Sequence, residues 1–206
     1  MQKIVFNDRY GLTDAVIEGR KTMTRRLVSD RLWEIWTNYD DFCNSVIGGI
    51  ARDGTSVSRE YYHECDFFKD KCRHKVGEIV AVAQSYYNAF SSKCDIPVYG
   101  ADRTPGWLNK LFVRADLMPH QIRITGIRCE RLQDISDEDC FREGIIESWY
   151  ESTDTTTYGY ADEKKGTAVE FDTPRKAFAS LIDRVSGKGT WASNPWVVVY
   201  EFELVK

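Results

Sequence analysis

Near its C-terminus the chain reads WVVVYEFEL, in which Trp196, Val198, Tyr200, Phe202 and Leu204 alternate with Val197, Val199, Glu201 and Glu203. A period of two predicts a strand, and a strand needs neighbours for its backbone groups, so other segments must complete a sheet. The run EIVAVAQSYY after Gly77 is nearly continuous in apolar residues, as expected of a strand covered on both faces, and is expected at the sheet's centre. KIVF at residues 3–6 predicts a short strand. In QIRITGIRCERL, Ile122 and Ile124 share one parity and Ile127 and Cys129 the other, which places a bulge at Gly126.

Helical spacing alternates with these strands. Leu12, Ala15 and Val16 precede Gly19, a natural C-terminal stop. Leu32, Ile35, Trp36 and Tyr39 form a second stripe, and VIGGIARDGTSV reads as a hairpin turning at Asp53 and Gly54. In ISDEDCFREG, Ser136 is the N-cap, Ile135 and Cys140 form a hydrophobic staple, and Gly144 ends the helix with Glu143 in its last turn. Thr173 and Pro174 start a helix carrying Phe178, Leu181, Ile182 and Val185 at i, i+3, i+4 and i+7. Residues 29–71 look inserted, and the polar stretch 147–172, with little period, reads as a long surface loop or lid.

Strands and helices together predict an α+β fold in one domain spanning 1–206. A composition of 42% hydrophobic and 29% charged residues is too apolar for disorder. The N-terminus lacks the apolar core of a signal peptide and no run approaches the ~20 apolar residues of a membrane span, so a cytoplasmic location without a membrane partner is expected. Six cysteines without a CxxC pair read as reduced thiols. A net charge of −4 excludes a uniformly basic nucleic-acid coat, so any contact with nucleic acid must be local.

GRKTMTRR, residues 19–26, is where positive charge gathers. From 19 to 31, Arg20, Lys21, Arg25, Arg26 and Arg31 face one acid, Asp30. On the residues alone this is either an anion site or an exposed basic turn. A straight strand sends Lys21 and Thr24 to opposite faces, so joint action requires a turn or bulge between them. Tyr86, Tyr87 and Trp107 suit either core packing or stacking on a base. His63, Cys65, Cys72 and His74 form a mirrored HxC and CxH pattern, tighter than the usual zinc spacings, and no metal is assigned to it.

The helix followed by GRKTMTRR, the Gly77-led strand, the capped helix ending in Glu143-Gly144 and the NPWVVVYEFELV terminus together resemble the ASCH domain family of the PUA-like superfamily, closest to its phage and mobile-element members. The resemblance leaves out the insertions 29–71 and 147–172. It implies a curved, mixed β-barrel flanked by short helices, with a cleft for a nucleoside, a nucleotide or a modified base in RNA or DNA, and no cofactor. Small bacterial members hydrolyse N4-acetylcytidine with a Lys and a Thr of the GRKTxT motif and a Glu. Those positions correspond to Lys21, Thr24 and Glu143, with Arg20, Arg25, Arg26 and Tyr86 as ligand contacts. Many phage-type relatives carry VRETW where this chain has VAQSY, so Ala83 and Gln84 replace a charged pair. The alternatives to hydrolysis are a binding module without chemistry and a protein-interaction role for the aromatic insertion at 29–71.

Overall fold

The computed structural model describes residues 1–44, 63–90 and 104–205. Its strands are β1 (Gln2–Ile4), β2 (Met23–Leu27), β3 (Ile79–Val82), β4 (Gln121–Arg131), β5 (Ile146–Tyr150), β6 (Thr155–Asp162), β7 (Thr167–Phe171) and β8 (Trp196–Leu204). Its helices are α1 (Leu12–Ile17), α2 (Asp30–Asn44), α3 (Glu64–Lys71), α4 (Tyr86–Phe90), α5 (Asp137–Arg142), α6 (Pro174–Ser186) and α7 (Thr190–Ser193). The fold is α+β. The hairpin expected at 46–57 lies outside the described residues.

A five-stranded mixed sheet runs in the order β1-β3-β4-β8-β2, with β1 and β3 parallel and every other pair antiparallel. The middle strand is β4, not the apolar run after Gly77. That run contributes β3, one place in from the edge, and stops because the Ser85 hydroxyl accepts from the Asn88 amide and starts α4. β3 is nevertheless covered on both faces: Val80 and Val82 enter the main core, while Ala81 enters a smaller one with Ala83, Val113 and Met118. The β4–β8 register shifts between Ile124 and Gly126, which is the bulge that the parity change in the sequence requires.

The sheet is not closed into the expected barrel. Among the described residues β1 and β2 remain its two edges, because β1 offers only three residues of ladder. A side chain spans the gap instead: Arg26 Nη2 donates to the Val5 carbonyl at 2.6 Å. Val5, just after β1, and Arg26 and Leu27 of β2 border cavities along this open seam.

The segment 147–172 corrects a second expectation. It is no loop but an antiparallel sheet, β5-β6-β7. Threonine and tyrosine favour strands, and in β6 Tyr158, Tyr160 and Asp162 share one parity. The period was hidden because an acid occupies an inward position: Asp162 is fully buried and takes a two-point contact from Arg9, both bonds 3.0 Å. Gly159 is required there, since a Cβ would sit 2.3 Å from the Val169 carbonyl oxygen.

The other helices follow the sequence closely. Thr173 caps α6 by accepting from the Lys176 amide, and Phe178, Leu181 and Ile182 are buried in the main core. In the insertion, Trp36 of α2 packs on Phe67 and Phe68 of α3, forming a third core against Cys129 and Trp196. Among the described residues no group of three or more His, Cys, Asp or Glu gathers as metal ligands, and the Cys72 thiol donates to backbone carbonyls. No described helix is long and apolar enough to cross a membrane.

Candidate functional site

α1 ends before Gly19, whose φ of +76° turns the chain, and the Lys21 amide donates back to the Ala15 carbonyl at 2.8 Å. Lys21 therefore sits in the turn that precedes β2, which begins at Met23. The Thr22 amide donates to the Arg142 carbonyl at 3.0 Å, which ties this turn to α5. Ser136 caps α5 by accepting from the Asp139 amide, and the helix delivers Glu143 at its C-terminal cap. Gly144 then leaves at φ +104°, and a Cβ there would meet Leu12 Cδ2 at 3.2 Å.

Two segments 122 residues apart thus meet in the interior. Lys21 Nζ donates to Glu143 Oε2 at 2.5 Å and to the Glu143 carbonyl at 2.7 Å. Lys21 is 2% exposed, Glu143 5% and Thr24 5%. Burial pulls the Lys21 ammonium below its ordinary value of 10.5, and the Glu143 carboxylate opposes that pull in part. All three side chains line one cavity of about 410 Å³, bounded by Val5 and Phe6 on one side and by Phe178 and Leu181 of α6 on another. Because β2 is an edge strand, residues of both parities reach this space. Among the described residues the Thr24 hydroxyl makes no hydrogen bond, which leaves it free for a ligand.

Arg25 has a different setting from the one expected of a ligand contact. Its side chain is 1% exposed and touches three carboxylates: Glu130 at 2.6 Å, Asp139 at 2.7 Å and Glu143 at 3.2 Å. Burial draws its pKa down, but these carboxylates, led by Glu143, outweigh burial and the net shift is upward. Arg128, Arg142 and Glu201 extend the same network through Asp139 and Glu130. Arg25 lines the cavity as a fixed strut.

Arg26 is held by the Val5 carbonyl and lies 5.7 Å from the Phe6 ring, with no carboxylate in contact among the described residues. It stands where the first cavity meets a second, of about 670 Å³, and Val5 and Leu27 are also common to both. No family model, curated protein or solved structure matches this chain.

Two expected ligand contacts lie elsewhere. Arg20 is exposed and paired with Glu18 at 2.5 Å, outside both cavities. The Tyr86 hydroxyl accepts from the Arg114 amide at 2.9 Å, and its ring packs against Phe90 and against Gly106, where a Cβ would be 2.8 Å from Cε2. Tyr86 belongs to the smaller core. Tyr87 is half exposed and meets Trp107 edge-on, 6.2 Å between centroids. Sequence reasoning missed Glu130 and Asp139, whose role depends on contacts across 105 and 114 residues. It also missed the cavity walls from α6, where the i, i+3, i+4 stripe marks burial without saying that part of it faces a cavity.

Proposed function

We propose that the chain is an ASCH-type, PUA-like protein that binds a nucleoside or nucleotide base in the seam between β1 and β2, and that Lys21, Thr24 and Glu143 hydrolyse the amide of an N4-acylated cytidine there. The observation that supports this reading most directly is the shared cavity: an ammonium, an unengaged hydroxyl and a carboxylate border one space. Amide hydrolysis needs a nucleophile, a group that moves its proton and something that holds that group.

Glu143 has Lys21 on Oε2 and Arg25 on Oε1, so its part in the proposal is to hold Lys21. Lys21, whose pKa burial lowers and Glu143 raises in part, must first release its own proton and then takes the one from Thr24. Thr24 Oγ1 then attacks the acyl carbonyl, and Lys21 returns the proton to the departing exocyclic amine. Lys21, neutral again, then takes a proton from water as the water oxygen attacks the acyl ester, and passes it to Thr24 Oγ1 as the acyl group leaves as the acid.

A second reading is favoured by the same pair. Lys21 and Glu143 satisfy each other at 2.5 Å, an arrangement that suits a binding module that reads RNA or DNA without chemistry. Incubation of the purified protein with N4-acetylcytidine separates the two. Cytidine release that is abolished in Thr24→Val and Lys21→Met is expected; binding without release, unchanged over a long incubation, supports the module.

A further inference from the structure

The larger cavity has a charge pattern that the smaller one lacks. Lys3, Arg26, Arg31, Lys71, Arg73 and His74 line it, and no carboxylate does so among the described residues. Two of these cations are already engaged: Lys3 Nζ donates to the Leu111 and Val113 carbonyls, and Lys71 is 3.1 Å from Asp70. Among the described residues none of the three arginines touches a carboxylate. Arg26 has the Val5 carbonyl, Arg73 spends its Nε on Gln2 at 3.1 Å, and the Arg31 side chain has no partner among the described residues.

This is unusual within the molecule. Arg9, Arg20, Arg25, Arg114, Arg123 and Arg128 each touch a carboxylate. Arg131 and Arg175 have none, but each lies over a tryptophan ring and donates to a backbone carbonyl, as Arg26 does with Phe6 and Val5, which leaves Arg31 and Arg73 as the two without either kind of support among the described residues. Around the larger cavity burial lowers the pKa of both Arg26 and His74; Glu143 and Glu78 oppose it in part, and Arg73 adds a smaller lowering to each. His74 Nδ1 lies 3.4 Å from Glu78 without forming an aligned hydrogen bond. A cluster of like charges beside an apolar wall of Ile4, Val28, Leu32 and Val198 is relieved by an anion with an organic body. At about 670 Å³ the space is within the usual range for small-molecule sites.

We propose that this cavity is a phosphate site in which Arg26, Arg31 and Arg73 hold the phosphate of a nucleotide whose base enters the adjoining cavity of Lys21, Thr24 and Glu143. The placement of the base rests on the function proposed above; the phosphate site stands on the arginines that touch no carboxylate. Arg31 and Arg73 come from the segment around the insertion, on α2 and just after α3, so the insertion equips the seam for a phosphorylated ligand rather than a free nucleoside.

Calorimetric titration at low salt with four probes tests this: inorganic pyrophosphate, cytidine, cytidine 5′-monophosphate and a short single-stranded RNA. The wild type should bind pyrophosphate and should bind the monophosphate at least about tenfold tighter than cytidine. The Arg31→Ala/Arg73→Ala double variant should lose that margin and bind cytidine as before, and Arg31→Lys/Arg73→Lys should restore part of it. Both arginines are exposed, and neither has a carboxylate partner, so thermal unfolding should show the double variant folded. Tighter binding of RNA than of the monophosphate names a phosphodiester as the source, and the reverse names a terminal phosphate; either supports the site. Pyrophosphate affinity that is absent, or equal in wild type and double variant, overturns it, as does a monophosphate no tighter than cytidine. Arginine-dependent pyrophosphate binding without any cytidine binding sinks the placement of the base and leaves the phosphate site standing.

Discussion

In the smaller cavity Lys21 and Arg25 each touch a carboxylate, and the acids arrive from β4 and α5. In the larger cavity Arg31 and Arg73 touch none, and Arg26, common to both, is held only by a carbonyl. The stretch GRKTMTRR supplies cations to both settings. Lys21 and Arg25 are drawn into an internal network, while Arg26 stays open to the seam. A concentration of positive residues in the sequence therefore does not mark a ligand site by itself. The mark is a cation that touches no carboxylate, and Arg31 and Arg73, which line the larger cavity in that state, lie outside the motif.

The contrast is broken most severely at Arg25. Arg25→Ala removes the shared partner of Glu130, Asp139 and Glu143 and should cost about 3–5 kcal/mol in a denaturant titration, as for a broken buried ion pair. A variant as stable as wild type would mean that the network is not internal support and that Arg25 is available to a ligand after all. A smaller, graded effect concerns Lys21. With its folded pKa below 10.5, the unfolded chain binds this proton more readily, so the group's contribution to stability rises with pH between the folded value and 10.5. The stability difference between wild type and Lys21→Met should shift toward wild type across that window; a flat difference would remove the basis for Lys21 as the proton carrier. The smallest effect is expected on the other side of the seam. Arg31→Ala and Arg73→Ala, tested singly, should change stability by no more than about 0.5 kcal/mol, since neither breaks an ion pair. A loss comparable to that of Arg25→Ala would erase the difference between the two cavities.

Local chemistry was legible where it depends on near neighbours. Ser136 and Thr173 cap their helices, Gly126 marks a register shift, and the last strand alternates from Trp196 to Leu204. The β5-β6-β7 sheet was not legible, because the buried Asp162 occupies an inward position where a pattern reading expects an apolar residue. Its burial is supported chiefly by Arg9 across 153 residues, with Arg184 at 3.9 Å.

By itself the sequence determined an α+β chain with its capped helices and its bulge, since each of these rests on interactions within a few residues. Only the tertiary structure decided that Lys21 and Glu143 pair, that Arg25 becomes a strut, that Arg20 and Tyr86 stand apart, and that the sheet stays open along β1 and β2. The reason is that a charge's role is set by what neutralises it, and a counter-charge a hundred residues away is chosen by the packing of strands and helices, which leaves no local period or motif to read.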